Sequence, residues 1–208
     1  MSANNNEIIY SLENIHHALS PGTISSVYAL TRSIKVKASD WQDCLEEISE
    51  LCAMKWVVFS SNKQPTSMDT QEAIQKKIRM KYSAKFICHR SGSYASVARD
   101  EGRPTQKKSK KAGCTASLSI KCYFKEPEVY HFIPVVQEHA FHIPGDQVDD
   151  LRCLPLSRRY LWKIQNELEH SSKSARQIRI DLLREMDKYG SKNERRVNYH
   201  DVWNLMNK

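Results

Sequence analysis

The sequence predicts an α+β protein in which a helix precedes a small antiparallel sheet of about four strands, and a three-helix tail follows the sheet. Two observations support this prediction. In the middle of the chain apolar residues alternate with polar ones, as in half-buried strands, whereas before and after it they recur every three or four residues, as in amphipathic helices. Of the 208 residues, 40% are hydrophobic and 27% are charged, which favours a folded domain over a disordered chain.

The first element is a helix predicted over residues 41–54. Trp41, Leu45 and Ile48 follow helical spacing, and Asp40 stands where an N-cap is expected. The forty residues before it are polar and show no sustained periodicity, so we expect a flexible or peripheral N-terminal arm.

Two short strands are predicted after this helix. Trp56–Phe59 is rich in strand-forming residues and ends at a run of turn residues, and Lys85–Arg90 is closed by a Ser-Gly pair. The alternation within Trp56–Phe59 suits burial on one or both faces of its strand. Residues 71–80 are compatible with either a helix or a strand.

A hairpin is predicted next. The segment Gly113–Phe124 alternates apolar and polar residues, and Val129–Gln137 follows it after a short turn. Pro134 places the second strand at a sheet edge or at a bulge, because proline has no backbone N–H for a ladder hydrogen bond.

The tail shows helical spacing in three segments with short connections, which is typical of a helix-turn-helix-like unit. Ser157 and Ser174 are candidate caps. The predicted helices cover residues 156–168, 175–189 and 199–206. We therefore expect an N-terminal arm over 1–40, a central domain over 41–145 and a helical region over 146–208.

The positive charge is concentrated in one part of the chain. The net charge is +8, but Lys76–Lys125 alone contains 14 basic residues and two acidic ones. Its densest run, Arg103–Lys111, has five positive charges in nine residues, whose mutual repulsion keeps it extended unless a polyanion neutralises it. This predicts a phosphate-binding loop; a solvated loop or a nuclear-import signal is the alternative.

Six cysteines lack the dense spacing of a disulfide scaffold, so in a reducing compartment they are free thiols or metal ligands. Cys88 ends one predicted strand, Cys114 begins another, and His139 and His142 follow a third. Two thiolates and two imidazoles form a common structural zinc site. One Zn²⁺ ion could therefore join the neighbouring strand ends and stabilise a sheet too small for a large core.

The alternative is that the cysteines of this quartet are buried thiols and its histidines are surface imidazoles. Other residues also compete as ligands. Cys122 lies on the apolar phase of its strand and is better explained as core. His131 lies within a strand and Cys153 lies beyond the sheet, so these two rank lower, and His89 also competes.

At these residues the segment 41–156 resembles the FAR-RED-IMPAIRED-RESPONSE type DNA-binding domain of Mutator-like transposases and their domesticated relatives, in the WRKY and glial-cells-missing zinc-finger superfamily. The opening helix and the Trp56–Phe59 strand also fit this pattern. The motifs that carry the resemblance are Phe86–Gly92, Lys111–Ala116 with the aliphatic strand after it, and Glu138–Gly145.

The resemblance implies a four-stranded antiparallel sheet that holds zinc through two cysteines and two histidines, here Cys88, Cys114, His139 and His142. The family usually ends in His-x-His, whereas this chain has two residues between the histidines. The region after Leu154 resembles the helical linker before the transposase catalytic domain. The chain leaves no room for a nuclease domain beyond it, so we expect no catalysis.

In this superfamily a strand is presented edge-on to the major groove, and the matching segment is Trp56–Gln64. Asn62 and Gln64 carry amides that can pair with adenine, and Lys63 can reach guanine or phosphate; an ordinary turn is the alternative. The candidate phosphate contacts are Arg90, Lys107, Lys108, Lys110 and Lys111.

The sequence thus predicts a nuclear, zinc-dependent, sequence-specific protein that binds double-stranded DNA, either a transposase-derived transcription factor or a transposon-end-binding region. The sequence leaves open whether the helical tail binds a protein partner or self-associates. No membrane contact is expected, because no apolar run reaches about 18 residues. The alternative is an RNA-binding or protein-interaction module that uses the same basic loop. An enzyme is not expected, since adjacent Cys88 and His89 point to opposite faces of a strand.

Overall fold

The computed structural model describes residues 8–24, 26–65, 67–93, 110–146, 150–190 and 192–207, and these residues form an α+β fold, as predicted. The strands are β1 Ile9–Tyr10, β2 Ser20–Pro21, β3 Tyr28–Ala29, β4 Ile34–Lys37, β5 Trp56–Lys63, β6 Met80–Cys88, β7 Ser117–Tyr123 and β8 Glu126–Val136. The helices are α1 Trp41–Leu51, α2 Thr70–Gln75, α3 Arg158–His170, α4 Ala175–Tyr189 and α5 Tyr199–Met206.

One sheet has six strands in the order β1-β4-β8-β7-β6-β5. Strand β1 pairs with β4 in parallel, and the other neighbours are antiparallel. Strands β2 and β3 form a separate two-stranded sheet. The prediction of about four strands was therefore too low, because β1 and β4 extend the sheet beyond β8.

The segment before α1 is part of this fold, which corrects the prediction of a flexible or peripheral arm for its described residues. Ile34 of β4 lies opposite Phe132 of β8. Val36 and Ile15 are fully buried in the core. The physical reason is that apolar and lysine side chains alternate along β4, so its two β-branched residues point to the core while its lysines stay on the other face.

The core lies between α1 and one face of the large sheet. Ile48 of α1 is buried in the same cluster as Leu118 and Ile120 of β7 and Phe132 of β8. Each buried side chain of this kind contributes about 1.5–3 kcal/mol to folding. The helix predicted over 41–54 is present but ends at Leu51, and Ala53 beyond it adopts a positive φ of 46°.

The opposite face of the large sheet is partly exposed and carries mainly polar residues. Ala84 and Phe86 of β6 are buried, whereas Lys85 between them is exposed, because successive side chains of a strand point to opposite faces. Lys121 of β7 lies between the buried Ile120 and Cys122 and therefore lies on the same face as Lys85. This face, called the lysine face below, carries Lys35, Ser83, Lys85, Ser119, Lys121 and His131.

Strand β5 forms the edge of the sheet next to β6, and its side chains are mostly exposed. Val57 and Val58 are exposed, and Phe59 is 65% exposed. The sequence suggested burial for this segment on one or both faces, which is wrong for these three side chains, because Trp56 packs against the core cluster and they do not belong to it. A bulge between Val58 and Ser60 interrupts its pairing with β6.

Strands β7 and β8 form the predicted hairpin. Strand β8 lies inside the sheet, and Pro134 pairs with Leu118 where the register shifts next to Ser117. Both alternatives for this proline apply, because β4 pairs with β8 only as far as Phe132 and the register shift with β7 lies beside Pro134. Cys122 is fully buried, as its place on the apolar phase predicts.

The helices α3, α4 and α5 pack on a core of their own, which contains Tyr160, Ile164, Ile178, Leu182 and Val202. A small cluster of Leu151 and Leu154 with Val27 and Ala53 joins the start of this region to the rest of the chain. Arg158 of α3 also forms ion pairs with Asp43 and Glu46 of α1. No helix within the described ranges is long and apolar enough to cross a bilayer.

Candidate metal centre

Three neighbouring strands bring four potential ligands to one end of the large sheet. Cys88 is the last residue of β6, Cys114 precedes β7, and His139 and His142 follow β8. Since β7 is antiparallel to both neighbours, its beginning lies beside the ends of β6 and β8. The structure therefore brings together all four residues that the sequence analysis selected.

The two cysteine segments are tied to each other by hydrogen bonds. The backbone N–H of Cys88 donates to the carbonyl of Ala116 at 3.1 Å. The Ser91 hydroxyl donates to the carbonyl of Cys114 at 2.6 Å, and the N–H of Arg90 donates to Sγ of Cys88 at 3.4 Å. An N–H bond of this kind favours the thiolate form, which is the form that binds metals.

The two histidines lie on either side of a tight turn at residues 140–141. Phe141 adopts a positive φ of 65°, which is rare for a residue with a bulky side chain. Its ring, 81% exposed, lies over Gly113, where an added Cβ would come within 3.6 Å of it. Strained backbone of this kind persists where the surroundings require it, and here it turns both imidazoles toward the cysteines.

The four ligand atoms lie within 4.8 Å of one another, and three of the distances between them are close to those of tetrahedral coordination. Nε2 of His142 lies 3.4 Å from Sγ of Cys88, and Nδ1 of His139 lies 3.5 Å from Sγ of Cys114. The two imidazole nitrogens are 3.2 Å apart. A tetrahedral ion with bonds of about 2.3 Å to sulfur and about 2.05 Å to nitrogen separates sulfur from nitrogen by about 3.6 Å and two nitrogens by about 3.3 Å. This quartet can therefore hold a metal ion.

The cluster is largely shielded from solvent, with both cysteines buried and both histidines half-buried. Burial raises the pKa of the Cys88 thiol, and the neighbouring Cys114 and Asp150 add to this effect. Burial also lowers the pKa of His139 to about 4, so this imidazole is neutral at pH 7. A neutral imidazole is ready to bind a metal, whereas a thiol must first release its proton.

A carboxylate stands behind one of the ligands. Oδ1 of Asp150 lies 3.0 Å from Nδ1 of His142, on the side of the ring away from the sulfur atoms. The same oxygen lies 3.3 Å from Nε of Arg90, whose NH1 donates to Sγ of Cys153 at 3.0 Å. Sequence analysis missed Asp150, and the spacing of the residues contains no signal that identifies it.

The competing ligands are not members of the quartet, although His89 lies beside it, with Nδ1 3.9 Å from Sγ of Cys88. Nδ1 of His89 accepts a hydrogen bond from the N–H of Lys55 at 3.2 Å, and burial lowers the pKa of His89 to about 4. His131 pairs with Glu126 on the lysine face. Cys122 is a core residue, and Cys153 contacts Arg90 as described above.

The candidate DNA contacts are divided between several places. Asn62 and Lys63 are exposed on β5, and Gln64 follows them half-buried. Lys110 and Lys111 are exposed, and Nζ of Lys111 donates to the carbonyl of His89 at 3.4 Å.

Two of the remaining candidates, Lys107 and Lys108, lie outside the described residues. Arg90 is buried beside Asp150 and is 9% exposed, a position that suits an internal ion pair rather than a contact with phosphate. The sequence analysis also did not name Lys85 and Lys121 of the lysine face. Their signal was available, because Lys121 lies between two apolar residues of a predicted strand and Lys85 begins another.

Comparison with known proteins gives this chain no relative from which a role could be transferred. A scan against protein-family models, a search of curated proteins and a search of solved structures each returned no match.

Proposed function

We propose that this chain is a zinc-stabilised protein that binds double-stranded DNA in a sequence-specific way. The observation that carries the zinc part is the convergence of four ligand atoms within 4.8 Å of one another, with three short distances between them. Two thiolates with two imidazoles favour zinc among the common biological metals. The four protein side chains complete the coordination, so no position remains for a substrate, and this supports a structural rather than a catalytic ion.

The charge of the lysine face supports the DNA part of the proposal. Asn62, Ser83, Lys121, His131 and Lys35 lie opposite one another across five strands, so the edge strand β5 and the lysine face form one continuous surface. Lys85 lies diagonally from Lys121 on this surface. Neither Lys85 nor Lys121 forms an ion pair with any acidic residue in the described part of the chain.

An arrangement of this kind fits the two components of DNA recognition. Lysines on the sheet and in the basic segment would contact phosphates and provide affinity, while the exposed amide of Asn62 and the ammonium group of Lys63 on β5 would contact base edges in the major groove. The proposed biological roles are those of a nuclear, transposase-derived transcription factor or transposon-end-binding region.

The test combines metal analysis of the purified protein with a duplex selection assay. We expect about one Zn²⁺ per wild-type chain and enrichment of a defined duplex sequence. Cys114→Ser should lose both the zinc and the duplex affinity. Cys122→Ala is the matched control, since Cys122 lies outside the quartet, and it should retain both. Full zinc occupancy in Cys114→Ser would refute the ligand assignment, and equal binding of all duplexes and RNAs would refute sequence-specific DNA binding.

A protein partner for the tail is a second candidate function. Tyr199 and Trp203 of α5 are both exposed, with their rings stacked 6.1 Å apart. Exposed aromatic surface of this kind is typical of protein interaction sites. Self-association through α5 predicts that Trp203→Ala lowers the mass observed by sedimentation, whereas Tyr189→Ala on α4 leaves it unchanged.

A further inference from the structure

We propose that Asp150 is a positioning residue of the metal centre, which holds the imidazole of His142 so that Nε2 faces the ion. This inference rests on the proposed metal binding and assigns a fifth residue to the site. The carboxylate reaches Nδ1 of His142 at 3.0 Å, while Nε2 lies 3.4 Å from Sγ of Cys88. One ring nitrogen thus lies next to the carboxylate and the other next to the Cys88 sulfur.

The burial of Asp150 supports this role. The residue is 1% exposed, and removing a carboxylate from water is costly unless charged or polar groups compensate for the loss. Among the described residues, the groups within ion-pair distance are His142 and Arg90. Neither oxygen of Asp150, nor Nδ1 of His142, has a partner there at hydrogen-bond geometry, so these contacts are close approaches rather than aligned hydrogen bonds. An apolar residue would pack in this position equally well. The presence of a carboxylate is therefore explained by its contacts with His142 and Arg90.

Arg90 would keep Asp150 in place from the sheet side. It follows Cys88 by two residues, and its own N–H donates to the Cys88 sulfur. Its side chain reaches Asp150 and Cys153, which both belong to the segment leading to the helical tail. The pair Arg90–Asp150 therefore connects a ligand-bearing turn of the sheet to that segment.

The metal centre and residues 150–154 should depend on each other. Asp150 opens the short helical turn Leu151–Cys153, and Leu151 and Leu154 pack on Val27 and Ala53. Correct orientation of His142 thus requires this segment to be docked. Metal binding and docking of residues 150–154 should strengthen each other, because each favours the same arrangement of His142.

The test uses cobalt(II) as the probe, titrated into the full chain and followed by its visible absorption. Asp150→Asn keeps the size of the side chain and removes its charge. We expect a roughly 10- to 100-fold loss of Co²⁺ affinity with one ion still bound. Asp187→Asn, at an exposed residue of α4 that pairs with Arg196, should bind Co²⁺ like the wild type.

A double-mutant cycle separates positioning from general structural damage. If Asp150 acts through His142, then Asp150→Asn should change Co²⁺ affinity less than about twofold in a His142→Ala background. An equal loss in both backgrounds would overturn the proposal. Circular dichroism of every variant reports folding, and Arg90→Gln provides a second route to the same effect, with an expected loss of roughly three- to tenfold.

The outcomes distinguish this inference from the proposed function. A wild-type chain that binds no Co²⁺ or Zn²⁺ would overturn both. A wild-type chain that binds the ion, together with an Asp150→Asn chain of equal affinity and spectrum, would overturn the role of Asp150 and leave the four-ligand centre intact.

Discussion

Trp56, the first residue of β5, lies directly opposite Cys88, the last residue of β6. Its ring is also 6.5 Å from that of His139. The edge strand that carries the candidate base contacts therefore begins beside the candidate metal centre. Metal binding should order the end of β6 at Cys88, and it should therefore also order β5 through the backbone hydrogen bonds between the two strands.

The position of Trp56 predicts an optical signal for metal binding. Adding Zn²⁺ to metal-free protein should change the tryptophan fluorescence, because Trp56 is half-buried next to His139. Trp56→Phe should abolish most of the change, whereas Trp162→Phe, at an exposed position of α3, should preserve it. A full signal in Trp56→Phe would show that the ion binds elsewhere.

Removal of the metal should destabilise the fold. An ion that binds only the folded state stabilises it by about 4 kcal/mol when its free concentration is 1,000 times the Kd. A chelator should therefore lower the Tm of the wild type, and Cys114→Ser should show the lower Tm with or without chelator. The control is Ile48→Ala in the α1 core, which should cost about 2–5 kcal/mol and still respond to the chelator.

Metal binding should release protons, and affinity should fall as the pH is lowered. Burial raises the pKa of Cys88 in the metal-free protein, so its thiol is protonated at pH 7 and must lose that proton to bind. His139, with a pKa of about 4, is already neutral and contributes none.

Calorimetry in buffers of different ionisation enthalpy measures the number of protons released. At pH 7 Cys88→Ser should release about one proton fewer per ion than the wild type, and His139→Ala should release the same number. A loss of proton release in His139→Ala would contradict the neutral state of that imidazole.

The lysine face should contribute to duplex affinity without contributing to sequence preference. Lys85→Ala with Lys121→Ala removes two candidate phosphate contacts, so the slope of log affinity against log salt should become less steep by about 2. At 0.1 M salt we expect roughly tenfold weaker binding to all duplexes.

Lys188→Ala with Lys192→Ala provides a control of equal charge, because both residues are exposed in the tail. This variant should bind duplex DNA like the wild type. Equal weakening by both pairs would mean that net charge, and not the lysine face, determines the affinity.

The parts of the fold that were predicted from sequence are those with several periods of a clear pattern. Helix α1 and the β7–β8 hairpin show three or more repeats of helical or alternating spacing. Strand β4 was missed because its four residues, Ile34–Lys37, contain only two periods within a polar region. The exposure of Phe59 could not be inferred, because alternation does not reveal which face of a strand another element covers.

The candidate metal centre was likewise predicted only in part from the sequence. The four ligands were selected because thiol and imidazole groups occur at predicted strand ends, a feature of residue type and position. The partners of these ligands depend on tertiary packing. Asp150 meets His142 only because Leu151 and Leu154 pack on residues near the end of α1, and no local pattern in the sequence encodes that contact.

The two ends of the segment between Cys88 and Cys114 are held together independently of what lies between them. The N–H of Ala112 donates to the carbonyl of Arg90 at 2.8 Å, and the N–H of Gly113 donates to the carbonyl of Gly92 at 3.0 Å. Doubling the length of a loop closed in this way costs only about 0.6 kcal/mol. Residues added or deleted between these two anchors should therefore cost the sheet little stability.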